Sequence, residues 1–273
     1  GEGETGVKKV FGKAIDNAIS LGVVIIVLFL IIPIRTELLD FLLIINIGLS
    51  IMILMITMNI SETLEFSVFP SLLLVTTLFR LGLNVSSTRA ILYKGYAGEV
   101  IQNFGNLITG GNIVVGVVIF LIIVLVQFIV ITKGAERVAE VAARFTLDAM
   151  PGKQMAIDAD LSSGLIDEQT ARLRRGKIQK EADFYGAMDG ATKIVKGDAV
   201  MSLLITLINF LGGVIIGMVM GGGDFSTVLQ KYSIVTIGDG LVSQLPALMI
   251  STATGMIVTR SVSEGSLNKD VVA

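Results

Sequence analysis

Cysteine and histidine are both absent from the 273 residues. The first absence excludes disulfides and thiolate chemistry; the second removes the commonest metal ligand, general base and near-neutral proton carrier. Proton chemistry in this chain is therefore left to carboxylates, lysines, tyrosines and water. Charge is scarce too: Asp, Glu, Lys and Arg make up 16% of the residues, and a net charge of -2 gives no general case for nucleic acid. No G-x-x-x-x-G-K-[ST] loop is present, which argues against ATP hydrolysis by that route. Gly1-Glu2-Gly3-Glu4-Thr5-Gly6 matches the dinucleotide fingerprint by letter only, because it follows no strand and opens no βαβ unit. Nothing here points to a self-contained soluble enzyme, and neither an organic cofactor nor a metal is expected.

What the chain does have is apolar sequence: 53% hydrophobic residues and a mean hydropathy of +0.82. The apolar residues are gathered into runs, and Ile113 to Ile131 alone is long enough to cross about 30 Å of hydrocarbon as a helix. The reading is an all-α polytopic membrane protein with about six transmembrane helices and a small cytoplasmic insert. Lys8, Lys9 and Lys13 place residues 1–17 in the cytoplasm by the positive-inside rule. The first span, 18–34, shows no small-residue cleavage site and is read as retained. Span two is 38–58. Span three, from Phe66, is apolar only to Phe79, so it must borrow Arg80 to Leu83 or bury its end in protein. Residues 84–111 read as amphipathic or re-entrant segments. Span four, 113–132, completes a membrane region of 18–132. The polar insert, 133–197, holds eleven Lys/Arg and ten acidic residues. Spans five (199–220) and six (234–258) fill a second membrane region, 198–259, and 260–273 form a cytoplasmic tail.

Ionisable side chains at membrane depth are costly, so Asp40, Arg80 and Asp239 are each functional candidates. The plainer alternative for each is an interfacial or paired charge, and Arg80 and Arg89, which flank Asn84, either pair with such carboxylates or snorkel to the interface. The ladder Gly213-xxx-Gly217-xxx-Gly221 reads as helix packing. In the insert, Asp167 is placed to cap a short helix through Arg175, with Glu168 and Arg172 paired at i, i+4 and Gly176 at its stop. At about 65 residues the insert is marginal for a core of its own and should rest on the membrane domain or on neighbouring copies.

Four strings carry a resemblance. They are Phe79-Arg80-Leu81-Gly82-Leu83-Asn84-Val85-Ser86-Ser87-Thr88-Arg89, the run from Arg137 to Lys153, Ile157-Asp158-Ala159-Asp160, and the run from Gly190 to Asp198. With them the chain resembles, over nearly its whole length, the FHIPEP export-gate family of type III secretion. Ala182-Asp183-Phe184-Tyr185 is closer to the flagellar branch than to the injectisome branch. The resemblance implies a multi-pass protein of the bacterial inner membrane with both termini cytoplasmic, forming a homo-oligomeric, nonameric ring. It further implies that proton motive force, with a sodium gradient as the alternative, is coupled to export of unfolded flagellar proteins. The implied partners are other export-apparatus membrane proteins, the ATPase complex, exported proteins and chaperones, and membrane lipid. By motif position the sensitive charges carry over to Asp40, Arg80, Arg89, Lys153, Asp158 and Asp198, with Asp158 the first choice; Asp239 joins them from its depth in span six. The family pattern runs on past Ala273 into two further spans and a large cytosolic domain.

Two other readings compete: a passive ring-shaped scaffold of the export apparatus, and an ion channel or symporter. Topology is testable directly, because no native cysteine interferes. Single cysteines at Ser163 and Thr36 should label from opposite sides of the membrane; labelling of both from one side would contradict the proposed orientation.

Overall fold

The computed structural model describes residues 2–59 and 68–272. In chain order it forms α1 (Glu2–Ile31), α2 (Thr36–Asn59), α3 (Phe69–Lys94), α4 (Glu99–Thr109) and α5 (Ile113–Ile129), then a π-helical segment (Val130–Ala135), α6 (Glu136–Ser162), α7 (Glu168–Val219) and α8 (Phe225–Val272). Among the described residues there is no strand. Among the described residues, four helices are long and apolar enough to cross a membrane: α2, α3, α7 and the part of α8 up to Val258. A fifth crossing is added if α4 and α5, bent by 102°, count as one. The chain is an all-α polytopic membrane protein.

The helix ends follow local chemistry. Pro33 has no N–H to donate, and α1 stops two residues before it, so the apolar stretch Asp16–Ile31 is shorter than the 18–34 expected. Span three both borrows residues and buries them: α3 runs through Arg80 and Leu83 as far as Lys94, with half of its apolar stretch covered. The expected start at Phe66 lies outside the described residues. Of the segments expected to lie against the membrane, residues 84–94 are instead the last turns of α3, and only α4 is amphipathic.

The insert differs from its sequence reading in one place. Asp167 does cap a helix, accepting from the Thr170 N–H at 2.8 Å, and Glu168 pairs with Arg172 at 3.3 Å. Bonds from the Thr170 hydroxyl first, and then from its N–H, hold the Asp167 carboxyl below its ordinary range. The cap therefore stabilises above the ordinary carboxylate pKa and is lost as pH falls through the lowered one. The helix does not stop at Gly176, however; α7 continues for 52 residues to Val219. A glycine costs roughly 1 kcal/mol in a helix, too little to break a proline-free ladder flanked by good helix formers. Pro151-Gly152, a pair whose local preference is for a turn, also lies inside a helix, α6. The cost of an interior proline, about 3 kcal/mol, is offset there by burial of Met150 and Ile157 on either side of it.

The chain forms two compact units. The first comprises Gly1–Leu49, Leu74–Val124 and Val200–Pro246. In it α4 lies against α8 through glycines: a Cβ at Gly105 would collide with the Ile234 carbonyl, and one at Gly238 with the Ile101 carbonyl. The Gly213 and Gly217 rungs of the α7 ladder likewise accept Tyr232 and Val228 of α8, which confirms the packing reading. The second unit comprises Ser50–Leu73, Leu125–Ala199 and Ala247–Ala273. Its core joins Ile53, Phe69 and Leu73 to Phe184, Tyr185 and Met188 of α7 and to Ile250 and Ile257 of α8. The insert thus shares a core with the ends of apolar helices, as its size required.

One tie in the first unit links a candidate residue to the bent pair. Both carboxylate oxygens of Asp40, on α2, accept backbone N–H bonds from the start of α4, from Glu99 at 3.0 Å and Val100 at 3.1 Å. Gly98, with φ of 109°, precedes α4, and a side chain there would strike the Asp40 carboxylate. A carboxylate on the positive end of a helix is favourable in charge as well as in bonding. Asp40→Ala should therefore speed amide hydrogen exchange at Glu99 and Val100 by roughly fivefold, the effect of losing one average cap. Unchanged exchange would show that α4 does not depend on Asp40.

Candidate functional site

Arg80, Asn84 and Ser87 follow one another at helical spacing and share one face of α3, and all three are buried. Facing Asn84 and Ser87, α8 brings Asp239, 4% exposed, and Ser243 one turn later. From α7 comes Asn209, which has no exposed surface. Asn209 Nδ2 donates to Asp239 Oδ2 at 2.9 Å, and the Ser87 hydroxyl lies within hydrogen-bonding reach of the Asp239 carboxylate. Ser87 is also placed to donate to the Asn84 carbonyl, at 3.0 Å, while the Ser243 hydroxyl donates to Asn84 Oδ1. Three apolar helices are thus joined by one polar network around a single carboxylate.

The partners of Asp239 are an amide and a hydroxyl, both neutral donors. Such a setting suits a group that takes up and releases a proton, because neither partner fixes its charge. Asn209 Oδ1, on the amide that bonds Asp239, is buried and has no hydrogen-bond partner among the described residues. Among the described residues no cluster of three or more carboxylates is arranged to hold a metal ion.

The remaining candidates stand elsewhere. In the first unit, Arg89 donates to the Leu30 carbonyl at 2.8 Å, a cation on the negative end of α1. Asp40 sits with Glu37 and Glu99 around Tyr96, whose phenol is pushed up by burial first and then by Glu99, Asp40 and Glu37. In the second unit, Asp158 pairs with Arg175 and is 61% exposed, while Asp160 pairs with Arg174 at 2.9 Å and Lys153 with Glu181 at 3.8 Å. These are pairs between α6 and α7, half in solvent, each worth about 0–1 kcal/mol. Asp198, on α7, is buried. Of the seven charges expected from sequence, Asp40, Arg80, Arg89 and Asp239 thus lie in the first unit and Lys153, Asp158 and Asp198 in the second.

Asn209, Ser87 and Ser243 were not singled out from sequence. Asn209 carried a usable signal, as the one amide side chain within the apolar run of span five. The serines carried none, since a serine in an apolar helix more often bonds its own backbone.

The FHIPEP family model matches residues 26–273. The chain is 58% identical over 256 residues to the flagellar biosynthesis protein FlhA of Bacillus subtilis, covering 94% of this chain and 38% of that protein. It is 56% identical over 259 residues to the FlhA of Caulobacter vibrioides, covering 93% and 37%. To the low calcium response locus protein D of Yersinia pestis it is 52% identical over 268 residues, covering 96% and 38%. The chain thus spans less than two-fifths of the length of these relatives. No solved structure matches it. With a family model covering nearly all of its residues and relatives above half identity, the chain belongs to the FHIPEP family.

Proposed function

We propose that this chain is the membrane portion of a type III protein export gate subunit of the flagellar branch, in which a proton gradient, or a sodium gradient in its place, drives export of unfolded proteins. The relatives named flagellar biosynthesis proteins support the system; the buried carboxylate supports the coupling. In this reading the protein lies in the bacterial inner membrane as a nonameric ring, with six spans per chain and with both termini and residues 133–197 in the cytoplasm. It works beside other export-apparatus membrane proteins and an ATPase complex, and exported proteins with their chaperones are its cargo.

The observation that carries the coupling is the Asp239–Asn209 pair. Asn209 donates to one oxygen of Asp239, and its own buried Oδ1 has no partner among the described residues. An ionised carboxylate has no proton to offer that oxygen; a protonated one does, and closes a two-bond acid–amide ring. Gain or loss of one proton then changes the bonding between α7 and α8. Because α7 runs unbroken from Asn209 back to Glu168 in the polar hairpin, the change is made on the same continuous helix that enters the insert. Asp158, the first choice from sequence, is exposed and ion-paired, so burial moves the choice to Asp239. Asp158, Lys153 and Asp198 remain in the reading as groups through which the insert responds.

Asp239→Asn in the full-length protein tests this. Asparagine keeps the shape and a hydrogen-bonding amide but cannot titrate, so export and motility should be abolished while membrane insertion and oligomer size stay as they were. An inserted, assembled variant with ordinary motility would overturn the coupling role and favour the passive scaffold.

A further inference from the structure

We propose that the cleft between the ends of α3, α7 and α8 binds the anionic phosphate headgroup of a diacyl phospholipid. The cleft holds about 720 Å³, within the roughly 300–1,000 Å³ range of ligand clefts. Lys94 and Lys231 line it together with apolar side chains, among them Leu92, Ile216 and Met220. Cations beside apolar surface suit a headgroup with the first part of its acyl chains, whereas a soluble anion would use only half of that lining. The position agrees: α3 ends at Lys94, α7 ends at Val219 and α8 begins at Phe225, so the cleft lies where membrane helices meet the aqueous boundary. Val219 and Met220 are 78% and 81% exposed, which continues the apolar surface along α7.

Lys231 is exposed, and it lies against the end of α3. Its side chain crosses Gly95, where a Cβ would stand 2.8 Å from Nζ and 3.3 Å from the Tyr232 hydroxyl oxygen. That glycine, at φ of 65°, closes the C-terminal end of α3, so the ammonium rests on the negative end of a helix. Among the described residues neither Lys94 nor Lys231 has a carboxylate partner, and Asp224 of the adjoining loop does not line the cleft. Two ammonium groups without counter-charges at the membrane boundary are the chemistry that selects an anionic headgroup.

The sequence contains no tryptophan, so Tyr93→Trp places a single fluorophore beside the cleft, at a side chain that is 85% exposed. Val114→Trp, on the exposed face of α5, serves as the control. Each variant is reconstituted into phosphatidylcholine vesicles containing either acyl-brominated phosphatidylglycerol or acyl-brominated phosphatidylcholine, and quenching gives the relative association of the two lipids. At the cleft phosphatidylglycerol should be preferred by roughly fivefold per lysine. The preference should vanish in Lys94→Gln/Lys231→Gln, return in Lys94→Arg/Lys231→Arg, and be absent at the control position. Equal quenching at the cleft, an equal preference at Val114, or a preference that survives the glutamine pair would overturn the proposal. Removal of the preference by inorganic phosphate would assign the cleft to a soluble anion and overturn it as well.

Discussion

Hydrocarbon offers no hydrogen bonds, so every polar group carried into it must find its partner inside the protein. That constraint explains the interior of the first unit. Asn84, Ser87, Asn209, Asp239 and Ser243 come from three different helices and bond to one another across them. Backbone contact does the rest of the joining, since Gly105 and Gly238 let α4 and α8 approach to a distance that no Cβ allows. Lipid gives no hydrophobic drive for helix association, which leaves close packing and polar bonds to hold such helices together. Here both are concentrated on α8, the candidate span with the largest buried share, 72% of its apolar stretch.

The second unit follows different rules because polar sequence dominates it. Its α6–α7 pairs, Asp158–Arg175 and Asp160–Arg174, are half in solvent and contribute little to stability individually. The apolar cluster around Tyr185 and Met188 supplies what those pairs do not, and it draws on Ile53, Phe69 and Ile257 from outside the insert. A 65-residue polar segment acquires a core by sharing one. The unbroken α7 is the covalent expression of the same dependence.

Much of this was legible in the sequence, and the limits have physical causes. Apolar runs reported the membrane class and the helices, because period and length are local properties. Asp239 stood out as a charge within a span, and the Gly213-xxx-Gly217 spacing announced a close helix neighbour. What stayed hidden depends on partners far along the chain. Asp40 reads as a charge near a span end, yet it is bonded to residues 59 and 60 positions away. Asn209 acquires its meaning from Asp239, thirty positions on. Gly176 misled for the opposite reason, and Pro151 behaves likewise: their local preferences are real but small beside the continuous ladders and buried faces of α6 and α7.

The central claim is that one buried carboxylate, bonded by two neutral donors among the described residues, carries the proton on which the protein works. Proton flux measures it most directly: the protein reconstituted in vesicles with an entrapped pH dye, under an imposed membrane potential. The account predicts a flux that is lost in Asp239→Asn and weakened in Asn209→Leu, which removes the amide but leaves the carboxylate. A flux of ordinary size in Asp239→Asn would contradict it.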